Sequence, residues 1–269
     1  MIKIGCCTNM VAEDSAGIGI DRIEKLAELG YDYIELPLAQ MMQLNDKDFA
    51  KLSTRVEQSG IPCLACNNFF PATMQLTGSE TTPTDALKAY IEKALIRAEH
   101  IGAKSIVFGS AAAKNVPNGF PYETARNQIV AILKLVSDCI GEKNISIAIE
   151  PLNQRESNII ITASDGLALL KAVNRPNIRL LVDFYHMSLE SEAVSIIPAA
   201  KDYLQHMHLA NPNGRIWPKH NDGGNYDSFL RALKEAAYDG CVSIEAFSNH
   251  FYSDAKEGYE TLQKIIRAF

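Results

Sequence analysis

The chain has 269 residues, 47% hydrophobic and 22% charged, the balance of an ordinary globular protein with a sizeable core. That length accommodates one large α/β barrel or two ordinary domains. The net charge of −6 argues against a nucleic-acid-binding surface, and no apolar stretch approaches the length of a membrane span.

The opening Met1-Ile-Lys-Ile-Gly5 has no apolar h-region or cleavage pattern, so it predicts the first strand, about 2–7, of a cytoplasmic protein. A recurring unit follows: amphipathic helix, Gly-containing turn, short apolar strand. It occurs as Lys25 to Gly30 before Tyr31–Glu35, as Val56 to Gly60 before Ile61–Ala65, and as Ala98 to Gly102 before Lys104–Phe108. Near the end, Glu235 to Gly240 precedes Cys241–Glu245. Glycine at a helix end supplies the left-handed cap that turns the chain sharply into a strand. Apolar stripes at helical spacing mark the helices: Ile23, Leu26, Ala27 and Gly30, then Ile129, Ile132, Leu133 and Val136. Leu87, Ile91, Ala94, Leu95 and Ala98 form another, with Thr84 or Asp85 as its cap, and Tyr259, Leu262, Ile266 and Phe269 face the core from the last.

Strands are expected at about 2–7, 32–36, 61–65, 104–108, 145–150, 179–183, 204–209 and 241–245. The loops that follow strands, such as 66–83, 109–121, 150–163 and 209–226, are long, whereas the turns that precede strands are short. Barrel enzymes build their sites from long loops on the carboxyl side of the strands. With no linker or composition shift, the chain reads as α/β, a single (β/α)8 TIM barrel domain over residues 1–269. The six cysteines, Cys6, Cys7, Cys63, Cys66, Cys139 and Cys241, read as reduced and structural, because the one CxxC, Cys63 to Cys66, has no second pair to complete a zinc site.

Four polar residues close strand-like runs at intervals near one strand-plus-helix unit: Glu150, Asp183, His208 and Glu245. Taken singly, Glu150 also fits an acid paired with Arg155 or Arg179, and Asp183 fits a helix cap. His186, three residues after Asp183, adds an imidazole to that strand end. In His206-Met-His208 both imidazoles point to one side of an extended segment, with His206 the deeper. Burying unpaired carboxylates is costly, and one cation at the barrel mouth would remove that cost for all three acids. Three carboxylates and one imidazole suit a divalent metal, with Mn²⁺ the leading expectation and Mg²⁺ or Co²⁺ compatible.

The segments Ile-Glu150-Pro-Leu-Asn-Gln-Arg-Glu156, Val-Asp183-Phe-Tyr-His186-Met, His206-Met-His208 and Ile-Glu245-Ala-Phe resemble the xylose-isomerase-like TIM barrels. Within them, the likeness is nearest to ketose 3-epimerases of the tagatose and psicose type. The resemblance implies that Glu150, Asp183, His208 and Glu245 bind the metal and that Glu156, His186 and Arg215 contact the sugar. It further implies C3 epimerisation of a free ketose through an enediolate, with Glu150 and Glu245 as acid and base, and a dimer or tetramer as the assembly. Trp217, the only tryptophan, sits in the loop after His208 and either offers a ring face for sugar C–H surfaces or packs within the loop. That loop departs from the family pattern: Lys219 stands where a Gly follows Pro218, and the stretch to Tyr226-Asp227 is longer, which leaves the sugar open.

The same site would also serve an aldose–ketose isomerase or an inosose isomerase or dehydratase. An apurinic endonuclease of this superfamily needs more histidines, where this chain has Asn68 and Ser110. A non-catalytic sugar-binding subunit would not need two acids facing one carbon. Secondary candidates are Asn67 to Phe70 as mouth lining, Glu35 as an acid that joins the polar network or, by default, pairs with Lys or Arg, and Lys114 as a contact for a phosphate.

Overall fold

Eight short apolar runs pair in parallel, each with the next and the last with the first, so the sheet closes on itself. They are β1 (Lys3–Cys7), β2 (Tyr33–Pro37), β3 (Cys63–Asn67), β4 (Ser105–Phe108), β5 (Ser146–Ile149), β6 (Ile178–Asp183), β7 (Leu204–Leu209) and β8 (Cys241–Ile244). Closure is made by β1 against β8, with Lys3 opposite Cys241 and Gly5 opposite Ser243. The structure, a computed structural model, describes residues 2–268; Met1 and Phe269, the latter expected on the buried face of the last helix, lie outside the described residues.

The outer ring is formed by α1 (Ile23–Glu28), α2 (Asp46–Ser59), α3 (Thr84–Ile101), α4 (Tyr122–Ile140), α5 (Ala163–Val173), α6 (Phe184–Leu189), α7 (Tyr226–Glu235) and α8 (Phe251–Arg267). Their apolar stripes face the sheet. Ile129, Ile132, Leu133 and Val136 of α4 are all buried, each stabilising the fold by about 1.5–3 kcal/mol relative to an exposed position. Among the described residues, no helix is long and apolar enough to cross a membrane.

The closed parallel barrel confirms the expected fold class, with local differences. β3 begins at Cys63 rather than Ile61, because Pro62 has no N–H for the ladder and contributes only its carbonyl, to the Ile34 amide at 2.9 Å. Helix α3 starts at Thr84 with Pro83 at the cap, so neither Thr84 nor Asp85 caps it. Gly30, Gly60 and Gly102 take the expected left-handed conformation, but before β8 it falls on Ala237, φ 54°, instead of Gly240. Phe69 does not line the mouth: it is buried, stacked on Phe70 at 4.1 Å, with its carbonyl held by the Tyr90 hydroxyl, whereas Asn68 and Phe70 line a cavity of about 300 Å³ among the segments that follow β2, β3 and β4.

The barrel interior has two characters. Toward β4, β5 and β6 it is a small apolar cluster of Val107, Ala148 and Leu181. Across it, Glu35 of β2 meets His206 and His208 of β7 and Ser243 of β8, contacts that only inward-facing side chains can make because β2 is not adjacent to β7 or β8.

Candidate active site

The four residues singled out in the sequence converge at the carboxyl ends of β5 to β8. Glu150 directly follows β5, Asp183 ends β6, His208 lies in β7 and Glu245 directly follows β8. Asp183 and His208 are paired in register across β6 and β7. His208 Nδ1 lies 3.0 Å from Glu150 Oε1 and 3.3 Å from Glu245 Oε2, so acids from two distant strands flank one nitrogen. Asp183 serves two ends: Oδ1 accepts the Tyr185 amide at 2.8 Å as the cap of α6, while Oδ2 is buried with no hydrogen-bond partner.

On the same rim, His186 Nε2 lies 3.4 Å from Asp183 Oδ2, and its Nδ1 faces the Asn153 side chain at 2.7 Å. Arg215 joins two acids, donating to Glu245 and, at 3.2 Å, to Glu156 Oε2, with its guanidinium 4.7 Å above the Tyr185 ring. The Arg215 backbone is left-handed, φ 52°, and its carbonyl is held by the Phe247 amide at 2.8 Å. A non-glycine residue in that region costs about 1–3 kcal/mol and persists only where its surroundings fix it.

Trp217 is a correction. It is fully buried, set edge-on to Tyr31 and Phe251, and fills the space that Gly258 of α8 leaves open. The loop needs a large apolar side chain to seat on α8, so the ring packs the core and offers no face to the mouth. Lys219 fastens the same loop, its Nζ 2.8 Å from Asp254 of α8.

Oxygen and nitrogen atoms of Glu150, Asp183, His186 and Glu245 all lie within 4.8 Å of one another. His208 contacts the two glutamates but stands outside that set, so the geometry offers two imidazoles rather than one. Buried and partnerless Asp183 Oδ2, beside the Glu150 and Glu245 carboxylates and the His208 Nδ1 that touches both, gives a donor set that fits a divalent cation.

The electrostatics are uneven. Burial raises the pKa of Glu245, but Arg215 and His208 outweigh it and hold its carboxyl well below the usual range. Burial, then the charge of Glu245, pushes Asp183 up to about 7. Burial, then Arg215, lowers His186 to about 3, so its imidazole is neutral. Burial pulls His208 down, yet Glu35, Glu245 and Glu150 keep it well above an ordinary imidazole. Protons on Asp183 and His208 therefore compete with a cation. Its affinity is expected to fall by about tenfold or more per unit as pH drops below about 7, with proton release on binding, checked by calorimetry in buffers of different ionisation enthalpy.

Glu35 joins the polar network, and its default pairing with Lys or Arg is corrected. Fully buried, it bonds to His206 at 2.6 Å and His208 at 3.1 Å rather than to Lys or Arg. No spacing rule links residues 171 positions apart across a barrel. Lys114, a candidate phosphate contact, is also fully buried and donates to the Glu150 carbonyl at 3.0 Å. Burial lowers its pKa to about 8. Gly109 was not singled out: a Cβ there would lie 1.9 Å from Glu150 Oε2, so the glycine makes room for the carboxylate. A cavity of about 680 Å³ lies elsewhere, before β3, between Ser53, Glu57, Pro62, His100 and Gly102, with Glu57 as its one acid and His100 as its one imidazole.

Comparison with known proteins places this rim. The family model described as "Xylose isomerase-like TIM barrel" matches residues 23–269. The chain belongs to that family. An L-ribulose 3-epimerase of Methylomonas sp. (strain DH-1) is 31% identical over 232 residues, 83% of this chain and 76% of that protein. A D-psicose 3-epimerase of Agrobacterium fabrum is 27% identical over 84% of this chain and 78% of its own length. The crystal structure of a Methylomonas D-allulose 3-epimerase in complex with D-allulose superposes with a TM-score of 0.85 at 25% identity, covering 98% of this chain and 96% of that one. Within the xylose isomerase-like family the chain is thus an enzyme of the isomerase class.

Proposed function

We propose that the chain is a divalent-metal-dependent ketose 3-epimerase acting on a free ketose, with Glu150 and Glu245 as its acid–base pair. The observation that carries the proposal is the approach of these two glutamates, from β5 and β8, to the same His208 nitrogen at 3.0 and 3.3 Å. The curated relatives, an L-ribulose and a D-psicose 3-epimerase, supply the reaction class.

Glu150, Asp183, His208 and Glu245 would hold the ion, Mn²⁺ in the first instance with Mg²⁺ or Co²⁺ as alternatives, since the donors are carboxylate and imidazole rather than thiolate. The bound cation would polarise the ketose carbonyl and its neighbouring hydroxyl and stabilise the negative charge that develops on proton loss. One glutamate takes the C3 proton, and the other returns a proton to the opposite face of the enediolate, which inverts the centre. Arg215 holds Glu245 ionised, a state in which it accepts a proton. Neutral His186, Glu156 and Arg215 orient substrate hydroxyls, and Asn153 fixes the His186 ring. Trp217 has no part in this assignment.

Incubation with Mn²⁺ and a panel of ketoses in D₂O is expected to place deuterium at C3 and to yield the C3 epimer, read by NMR and chromatography. Exchange at C1 with aldose formation, or no exchange with any ketose, would overturn the assignment. We further infer a single domain, supported by closure of β1 on β8, and a cytoplasmic homo-oligomer. The oligomer is supported by the exposed apolar side chains of Ile216 and Phe247, bridged beside Arg215 and Glu245.

A further inference from the structure

Glu35 is the most deeply buried carboxylate in the barrel interior and lies on the side of His208 away from the acids. Its Oε1 is 3.1 Å from His208 Nε2, and its Oε2 is 2.6 Å from His206 Nε2 and 2.5 Å from Ser243 Oγ, which is itself 2.7 Å from the Tyr33 hydroxyl. Glu35, His206, His208, Ser243 and Tyr33 have no exposed surface. Among the described residues, the other hydrogen-bond contact of His208 Nε2 is the Cys7 thiol at 3.9 Å, a weak partner.

Such a cluster is costly in a barrel core. A buried ionic group is often no more stabilising than apolar side chains of equal volume. The same barrel fills the space by β4 to β6 with Val107, Ala148 and Leu181. Packing alone therefore does not call for a carboxylate at residue 35. Its place relative to His208 does.

An imidazole that binds a cation through one nitrogen donates its other N–H, and the partner of that N–H sets both ring orientation and tautomer. His208 Nδ1 faces Glu150 and Glu245, and Nε2 faces Glu35. With the proton on Nε2, the N–H points at the Glu35 carboxylate and the Nδ1 lone pair points at the acids. The opposite tautomer would set a lone pair against that carboxylate.

We propose that Glu35 is the positioning residue of the metal centre: it fixes the His208 ring with Nε2–H toward itself and so makes Nδ1 the ligand nitrogen. His206 and Ser243 hold the other carboxylate oxygen and keep Glu35 from turning away. The inference rests on His208 being a ligand of the centre proposed above, and it adds which nitrogen binds and what selects it.

The test has two independent readouts. In ¹⁵N-histidine-labelled protein loaded with diamagnetic Mg²⁺, the His208 signals are expected to show a protonated Nε2 and an unprotonated Nδ1. A protonated Nδ1 would overturn the inference, and this measurement needs no variant to fold. By calorimetry, Glu35→Gln, nearly isosteric, is expected to weaken Mn²⁺ binding by about 10–100-fold. Ile132→Val, a mild change of the buried face of α4 away from the rim, should stay close to wild type. Equal affinities for wild type and Glu35→Gln, or an equal loss in Ile132→Val, would overturn it. Wild-type protein that binds neither ion would instead sink the metal-centre reading itself, which separates the two failures.

Discussion

Glu150→Gln and Glu245→Gln are each expected to lower C3 epimerisation by about 10²–10⁴-fold, the range lost with a positioned general acid or base. That corresponds to about 3–5 kcal/mol of transition-state stabilisation. An amide keeps the volume and one oxygen, so the cation should be largely retained. What disappears is the capacity to take or give a proton on one face of the substrate. Because the glutamates would work on opposite faces, each single change should stop turnover, and the double variant should be little worse than either. Epimer formation measured alongside metal content checks this. Wild-type epimerisation in either variant would remove the pair from its acid–base role.

Gly109→Ala is expected to be mild for the fold and severe for the site. The added Cβ would meet the far end of the Glu150 side chain, Oε2, at 1.9 Å, and a terminal carboxylate moves away by rotation at little cost to the barrel. Rotation takes the carboxylate off His208 and out of the group of donors within 4.8 Å. A displacement of about 1 Å in a reacting group costs about 100-fold in rate, so a loss of that order is expected with an unchanged melting temperature. Thermal melts and steady-state kinetics on one preparation decide it. A variant with full activity would mean that the Glu150 position seen here is not the working one.

The barrel was readable in the sequence because its signals are local. Apolar runs closed by a polar residue mark strand ends, and Gly30, Gly60 and Gly102 mark the turns that feed them. Convergence of Glu150, Asp183, His208 and Glu245 at one rim was readable for the same reason, since strand ends in a closed parallel sheet share one face. Trp217 was misread because a lone aromatic in a loop does not reveal which side it faces, and Gly258 decides that from another helix. For Glu35 the default pairing with Lys or Arg fails because its partners lie across the barrel, on β7 and β8. Gly109 was missed because its significance resides in a neighbour's carboxylate and not in any motif of its own.

The interior asymmetry has a consequence for engineering. The four residues assigned to the ion come from the second half of the chain, β5 to β8, while Glu35 and Gly109 belong to the first. The first half thus acts as a mould, supplying the acid behind His208 and the clearance beside Glu150. A chimera that grafts β5 to β8 onto the leading half of another barrel would carry every assigned ligand yet lose the surfaces that shape them. Restoring a glutamate at the Glu35 position and a glycine at the Gly109 position would be the smallest repair for such a hybrid.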